Sequence, residues 1–135
     1  MRTNGLRLEW MNPNDLKDNP LNFRKHSHLQ DADLSDALDV VGWAGVLLLN
    51  ERPGKLIDGH QRKRIAIKKG VKKVPVVVGS WTEEEERQVL LTFDAIGAMA
   101  TADKSVLETL LASVSFESAA INSMLEELAN RTDLE

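Results

Sequence analysis

The run Asp58-Gly59-His60-Gln61-Arg62-Lys63-Arg64 gathers a carboxylate, an imidazole, an amide and three cations within seven residues. It follows Leu56 and Ile57, which read as a short buried strand, and Gly59 marks the turn into a helix. A helix N-terminus presents N–H groups with no partner inside the helix, together with a partial positive charge. Placing His60, Gln61, Arg62, Lys63 and Arg64 in that first turn makes a candidate site for an anion, a phosphate above all. The same residues also fit a solvated basic helix after an ordinary strand–turn–helix connection. A second chemistry is open to His60 and Asp58, a candidate acid–base pair of the kind that hydrolysis of a phosphodiester needs. Against that pair, a strand sends neighbouring side chains to opposite faces, and Asp58 can serve simply as a helix cap.

Other chemistries are weaker. His26 and His28 sit two residues apart beside Arg24 and Lys25, but no carboxylate stands nearby at ligand spacing. Glu83, Glu84, Glu85 and Glu86 suggest a divalent cation, yet consecutive helical positions do not share a face. The chain has no cysteine, which excludes a disulfide framework, thiol catalysis and cysteine-ligated zinc, and fits a cytoplasmic protein. No apolar run approaches the ~20 residues of a membrane helix, and no signal-peptide pattern opens the chain.

Charge is segregated. The net charge of −4 conceals five basic and eight acidic residues over 1–51, nine basic and one acidic over 52–73, and three basic and twelve acidic over 82–135. An acidic total argues against coating nucleic acid indiscriminately, but a local +8 can hold phosphates. Lys63, Lys68, Lys72 and Lys73 extend the arginine cluster as candidate nucleic-acid contacts. Lys68 and Lys69 also stand where cations favour a helix C-terminus, so a purely local part is open to them.

These residues need a frame. At 135 residues the chain can build one domain with a real core. Leu6 to Trp10 alternates apolar and charged residues, as a half-buried strand would, and Pro13 with its polar neighbours ends it. Residues 19–25 form a loop around Pro20. Leu34, Ala37, Leu38 and Val41 predict a helix over 31–41, capped by Asp31 or Asp33 and ended by Gly42. Trp43 is expected in the core or bordering a pocket. Val46 to Leu49 predicts a central strand, and Pro53-Gly54 a turn into the strand of Leu56 and Ile57. Gly70 is placed to end the basic helix. Val74 to Val78 is a β-branched strand whose Pro75 points to an edge or a strand start. Thr82 and Glu85 form a capping box for an acidic helix running to about Ala95 and broken at Gly97. Helices over about 102–112 and 117–129 follow, each with an apolar stripe that packs as a helical hairpin or docks on a partner. Residues 132–135 read as a frayed end or a domain boundary.

Taken together, Asn19-Pro20-Leu21-Asn22-Phe23-Arg24-Lys25, Ile57 to Ala66, and Lys73 to Val78 followed by Trp81 to Glu85 resemble the N-terminal domain of the ParB family, the ParB-like nuclease or ParB/sulfiredoxin superfamily. The resemblance covers about residues 6–97. It implies an α+β fold, a small mixed β-sheet with packed helices, to which the two last helices add a C-terminal helical hairpin. The corresponding division is a ParB-like domain over 1–97 and an acidic helical extension over 98–135. It also implies a phosphate pocket of Gly59, His60, Arg62 and Arg64, with Arg24 contributed by the loop. A histidine after the motif glycine, and the stretch Leu90 to Ala100, look like the versions found in phages and mobile elements, which stand beside DNA methyltransferases.

The departures are equally informative. Partition-type members follow the acidic helix with a Glu-Asn-x-x-Arg motif that helps hold CTP and magnesium. Here the matching stretch, Phe93 to Gly97, has neither Glu nor Arg, and leaves Asp94 as a candidate metal contact. A basic helix-turn-helix does not follow either; the chain turns acidic instead. Sulfiredoxin chemistry needs a cysteine where His60 stands, and is excluded.

Three functions are therefore expected to compete. The first is a DNA-associated module for phage or mobile-element DNA modification or processing, with nuclease chemistry as its narrower form. The second is a switch or phosphotransfer enzyme that binds CTP or ATP with Mg2+, for which Asp58 and Asp94 are the carboxylates with a positional case. The third is an adapter whose acidic tail docks a partner such as a DNA methyltransferase. A homodimer is a further expected partner state.

Overall fold

The computed structural model describes residues 1–25 and 28–131, with side chains except at 28, 29, 94, 97 and 98. His26, the His28 side chain, the Asp94 side chain and residues 132–135 thus lie outside what is described. The elements run β1 (Arg7–Met11), a 3-10 turn at Pro13–Asp15, α1 (His28–Val41), β2 (Leu47–Asn50), β3 (Lys55–Asp58), α2 (His60–Lys68), β4 (Val74–Gly79), α3 (Glu83–Ala98), α4 (Lys104–Ser113) and α5 (Ala119–Arg131). The fold is α+β, with one mixed sheet.

The four strands are ordered β1-β4-β2-β3. β1 and β4 are antiparallel, β4 and β2 parallel, and β2 and β3 antiparallel. The parallel pair sets Leu47 opposite Val76 and Leu49 opposite Val78, all four buried. This is why two strands of nearly continuous apolar sequence lie at the centre of the sheet. A bulge between the Leu48–Asp58 and Leu49–Leu56 pairs leaves Ile57 as the extra residue of β3. Ile57 joins Trp81 and Leu90 in a core cluster, with Leu48 and Val89 against it.

Two helices, α2 and α3, are fixed by their ends and their apolar faces. α2 buries Ile65 and Ala66, and Gly70 ends it as expected, the Val71 N–H reaching back to the Ala66 carbonyl. α3 opens with the expected capping box: the Glu85 N–H donates to the Thr82 hydroxyl, and the Thr82 N–H to the Glu85 carboxylate.

Three expectations need correction. β1 is not half-buried: Leu8 and Trp10 are exposed, because alternation shows that one face is apolar but not that anything covers it. Of the two readings of Pro75, an edge or a strand start, the edge fails because β4 is internal, and the strand start holds: Pro75 is the second residue of β4, opposite Trp10. Gly97 does not break α3, which continues to Ala98; one glycine in a last turn costs only about 1 kcal/mol.

The described residues form two compact units. β1 to β4, α2 and α3 make one; α1, α4 and α5 make the other. In the second, α5 packs on α1, with Leu38 and Ile121 buried. Ser118 caps α5 by accepting the Ile121 N–H, and its own hydroxyl donates to Asp36 of α1 at 2.7 Å. No helix of the described residues is long and apolar enough to cross a membrane.

Candidate functional site

The start of α2 is set by Gly59. Its φ of 102° lies where L side chains are strained, and a Cβ there would stand 2.5 Å from Leu47 Cγ. The backbone can therefore pass this close to β2 only as glycine. Having no side chain, Gly59 offers no cap to the first-turn N–H groups of α2, and the positive end of the helix is left to other groups.

His60 follows and is buried, 8% exposed. Its Nε2 accepts the backbone N–H of Asn19 at 2.9 Å, which puts the ring proton on Nδ1. Burial lowers the His60 pKa below its ordinary 6.5, and the charges of Lys63 and Arg24 add to that, opposed by Asp18 and Asp58. At neutral pH the ring is uncharged and its lone pair holds the 19–25 loop against the helix start.

That loop delivers Arg24. Asn19 and Asn22 bend it through side-chain turns, accepting from the N–H groups of Leu21 and Arg24. The Arg24 guanidinium donates to Asp58 Oδ1 at 2.6 Å. The β3 bulge just before Asp58 gives this carboxylate its direction. From the helix, Arg62 Nε reaches the Ala44 carbonyl at 3.4 Å, with its guanidinium stacked over Gly45.

Asn22, Arg24, Asp58, Gly59, His60, Gln61 and Arg62 line a cavity of about 110 Å³. It has room for one phosphate group. With His60 neutral, two guanidinium groups outweigh one carboxylate there, and the helix end adds to the positive potential. The same loop borders a larger cavity of about 610 Å³ through Asn19, Pro20 and Leu21, which Trp81, Arg52 and Arg87 also line. Asn19 is 4% exposed, and its buried Nδ2 has no hydrogen-bond partner among the described residues. An orphaned donor at that boundary fits an acceptor oxygen or ring nitrogen of a ligand.

The remaining sequence candidates separate. Arg64 is exposed and does not line the small cavity. Lys63 donates to Asp18 at 2.8 Å, and that bond lowers the Asp18 pKa. Lys68, Lys72 and Lys73 are exposed at and beyond the opposite end of α2, about 12 Å along the axis from His60 to Lys68. Asp58 and His60 share no hydrogen bond; each is committed elsewhere. Glu83 pairs with Arg87, Glu85 caps α3 and pairs with Arg2, and Glu86 is buried against Asn50. Among the described residues no group of three His, Cys, Asp or Glu could hold a metal ion. The donor set of the described residues fits a phosphate and includes no carboxylate cluster for magnesium.

Sequence reasoning missed Asp18 and Asn50. Asp18 had a visible signal, an acid directly before the Asn-Pro pair. Asn50 had less: it ends an apolar strand, yet it is fully buried and bonds both the N–H and the carbonyl of Trp81.

No family model matches the chain. The ParB-like nuclease domain-containing protein YnaK of Escherichia coli (strain K12) is 36% identical over 67 residues, which cover 50% of this chain and 76% of YnaK. Among solved structures, the C-terminally truncated chromosome-partitioning protein ParB from Caulobacter crescentus, complexed with CTP-gamma-S, superimposes with a TM-score of 0.61 at 25% identity. That match covers 78% of this chain and 60% of the other. A pNOB8-like ParB N-domain gives a TM-score of 0.56 at 18% identity over 96% of this chain and 60% of its own, and supports the fold alone.

Proposed function

This chain belongs to the ParB-like nuclease domain family, and on that premise we propose that it is a nucleotide-binding, DNA-associated module. A nucleotide phosphate occupies the small cavity at the start of α2, between Arg24 and Arg62. The observation that carries this reading is the His60–Asn19 bond, because it fastens the arginine-bearing loop across a helix N-terminus that Gly59 leaves without a side-chain cap. Support comes from the likeness to a ParB complexed with CTP-gamma-S. CTP is therefore the first nucleotide to test and ATP the second.

Binding, not hydrolysis, is the chemistry proposed. The lone pair of His60 is held by Asn19, Asp58 is neutralised by Arg24, and neither is placed as a free base. Thermal denaturation of the full chain with each ribonucleoside triphosphate tests the reading, since a ligand that binds only the folded state raises the melting temperature. A rise with CTP that Arg62→Ala abolishes is the expected result. No rise with any triphosphate would remove the proposal.

A second reading, direct contact with DNA phosphates, is favoured by the exposed Lys68, Lys72 and Lys73. It predicts fluorescence-anisotropy binding of duplex DNA that weakens steeply between low and moderate salt. Service in mobile-element DNA modification, with a DNA methyltransferase docked on the acidic helices, extends this reading; co-purification of the two chains is its test.

A further inference from the structure

We propose that the larger cavity is a second ligand site, separate from the phosphate cavity, and that it takes a small organic anion, a flat apolar body carrying a carboxylate or phosphate. At about 610 Å³ it lies in the size range of small-molecule sites. Its place in the fold sets it apart from the start of α2. Arg52 and Pro53 belong to the β2–β3 turn and Lys55 opens β3. Asp58, at the small cavity, ends that strand about 10 Å further along. Among the described residues the two cavities share no lining residue.

The class of ligand follows from which groups at the cavity are already committed. Arg87 donates to Glu83 at 3.1 Å, so those two charges cancel. Glu86 is buried and accepts Asn50 Nδ2 at 3.2 Å, while the same asparagine bonds both the N–H and the carbonyl of Trp81. The uncommitted polar groups are donors. Asn19 Oδ1 accepts the Leu21 N–H, which fixes the amide's orientation and leaves Nδ2 without a partner among the described residues. Arg52 spends Nε on the Ser80 hydroxyl at 3.0 Å, and its terminal nitrogens have no carboxylate partner among the described residues; nor does the Lys55 ammonium. A carboxylate or phosphate supplies the acceptors and the charge that these donors lack. The rest of the lining is apolar: Pro20, Leu21, Pro53 and Trp81. The Trp81 ring is held in place against β4, where a Cβ at Gly79 would overlap it. Pyrrolidine rings and an indole suit a flat apolar body. A cation would meet Arg52 and Lys55 and find both carboxylates already bonded. A wholly apolar ligand would leave the Asn19 donor unpaired.

The test is an NMR titration of the isotope-labelled full chain with three probes: naphthoate, its neutral amide naphthamide, and acetate. Naphthoate is expected to shift the Asn19 side-chain amide and the Trp81 indole N–H saturably. Naphthamide lacks the charge and acetate the ring, and each binds at least about tenfold more weakly, the value of one charge-assisted hydrogen bond. Arg52→Glu, shown by thermal melts to be folded, weakens naphthoate by about as much. Asn19→Asp keeps the acceptor for Leu21 but loses the donor, and weakens it as well. Arg62→Ala, in the small cavity, leaves naphthoate binding unchanged, so this site stands or falls apart from the nucleotide reading. The proposal is overturned if naphthoate does not saturate, or if its shifts miss Asn19 and Trp81. It is equally overturned if naphthamide binds as well as naphthoate, if R52E binds like wild type, or if R62A loses as much as R52E.

Discussion

His60 matters less for the proton it could move than for the one it must not gain. Its Nε2 accepts the Asn19 N–H, and a protonated ring would present a second donor to that donor. Unfolded, the ring takes its proton near 6.5; folded, it does so at lower pH, chiefly because it is buried. Between those two values the unfolded chain holds more protons, so stability rises with pH across that window and levels off above it. The melting temperature is therefore expected to fall as pH drops from neutral through that range, and His60→Gln to flatten the fall; a pH series of thermal melts checks both. Gly59 is the other sensitive residue. Gly59→Ala adds a Cβ 2.5 Å from Leu47 at a φ of 102°, and about 2–5 kcal/mol of destabilisation is expected in urea denaturation. The cluster was legible because glycine, histidine and arginine announce themselves by type. The partners of its side chains were not, since the Asp18–Lys63 and Arg24–Asp58 pairs join residues far apart in the chain.

At the level of elements, caps and turns were read better than coverage, although the break expected at Gly97 does not form. The Thr82–Glu85 capping box formed as read, because both partners lie within one helical turn. Its electrostatics are lopsided: the Thr82 N–H first, then Arg2, hold the Glu85 pKa down to about 2 from an ordinary 4.5. Glu85 thus contributes fully above 4.5 and loses its contribution only as pH falls toward 2. Thr82→Ala is expected to cost about 1 kcal/mol, measurable by urea denaturation. β1 shows the limit. Its alternation identified an apolar face, but whether that face meets core or solvent depends on the sheet order, which no local pattern encodes. The β3 bulge is of the same kind: it arises from matching β2 to β3, and it redirects Asp58 away from plain alternation.

For the whole molecule, charge segregation was legible by counting, and it marked residues 52–73 as the basic segment that holds most of the candidate site, with Asn22 and Arg24 added by the loop. The packing of α1 on α5 was not, because each stripe shows that a helix wants cover without naming which partner supplies it. The central claim concerns the cavity at the start of α2, and it meets its most direct test in isothermal titration calorimetry of the full chain with CTP, ATP, GTP and UTP at neutral pH and low salt. Saturable heat is expected with CTP. Arg24→Ala and Arg62→Ala should each weaken binding roughly ten- to a hundredfold, the value of one charge-assisted hydrogen bond set. No heat from any of the four nucleotides, or an affinity that neither arginine variant changes, would contradict a phosphate site at the start of α2.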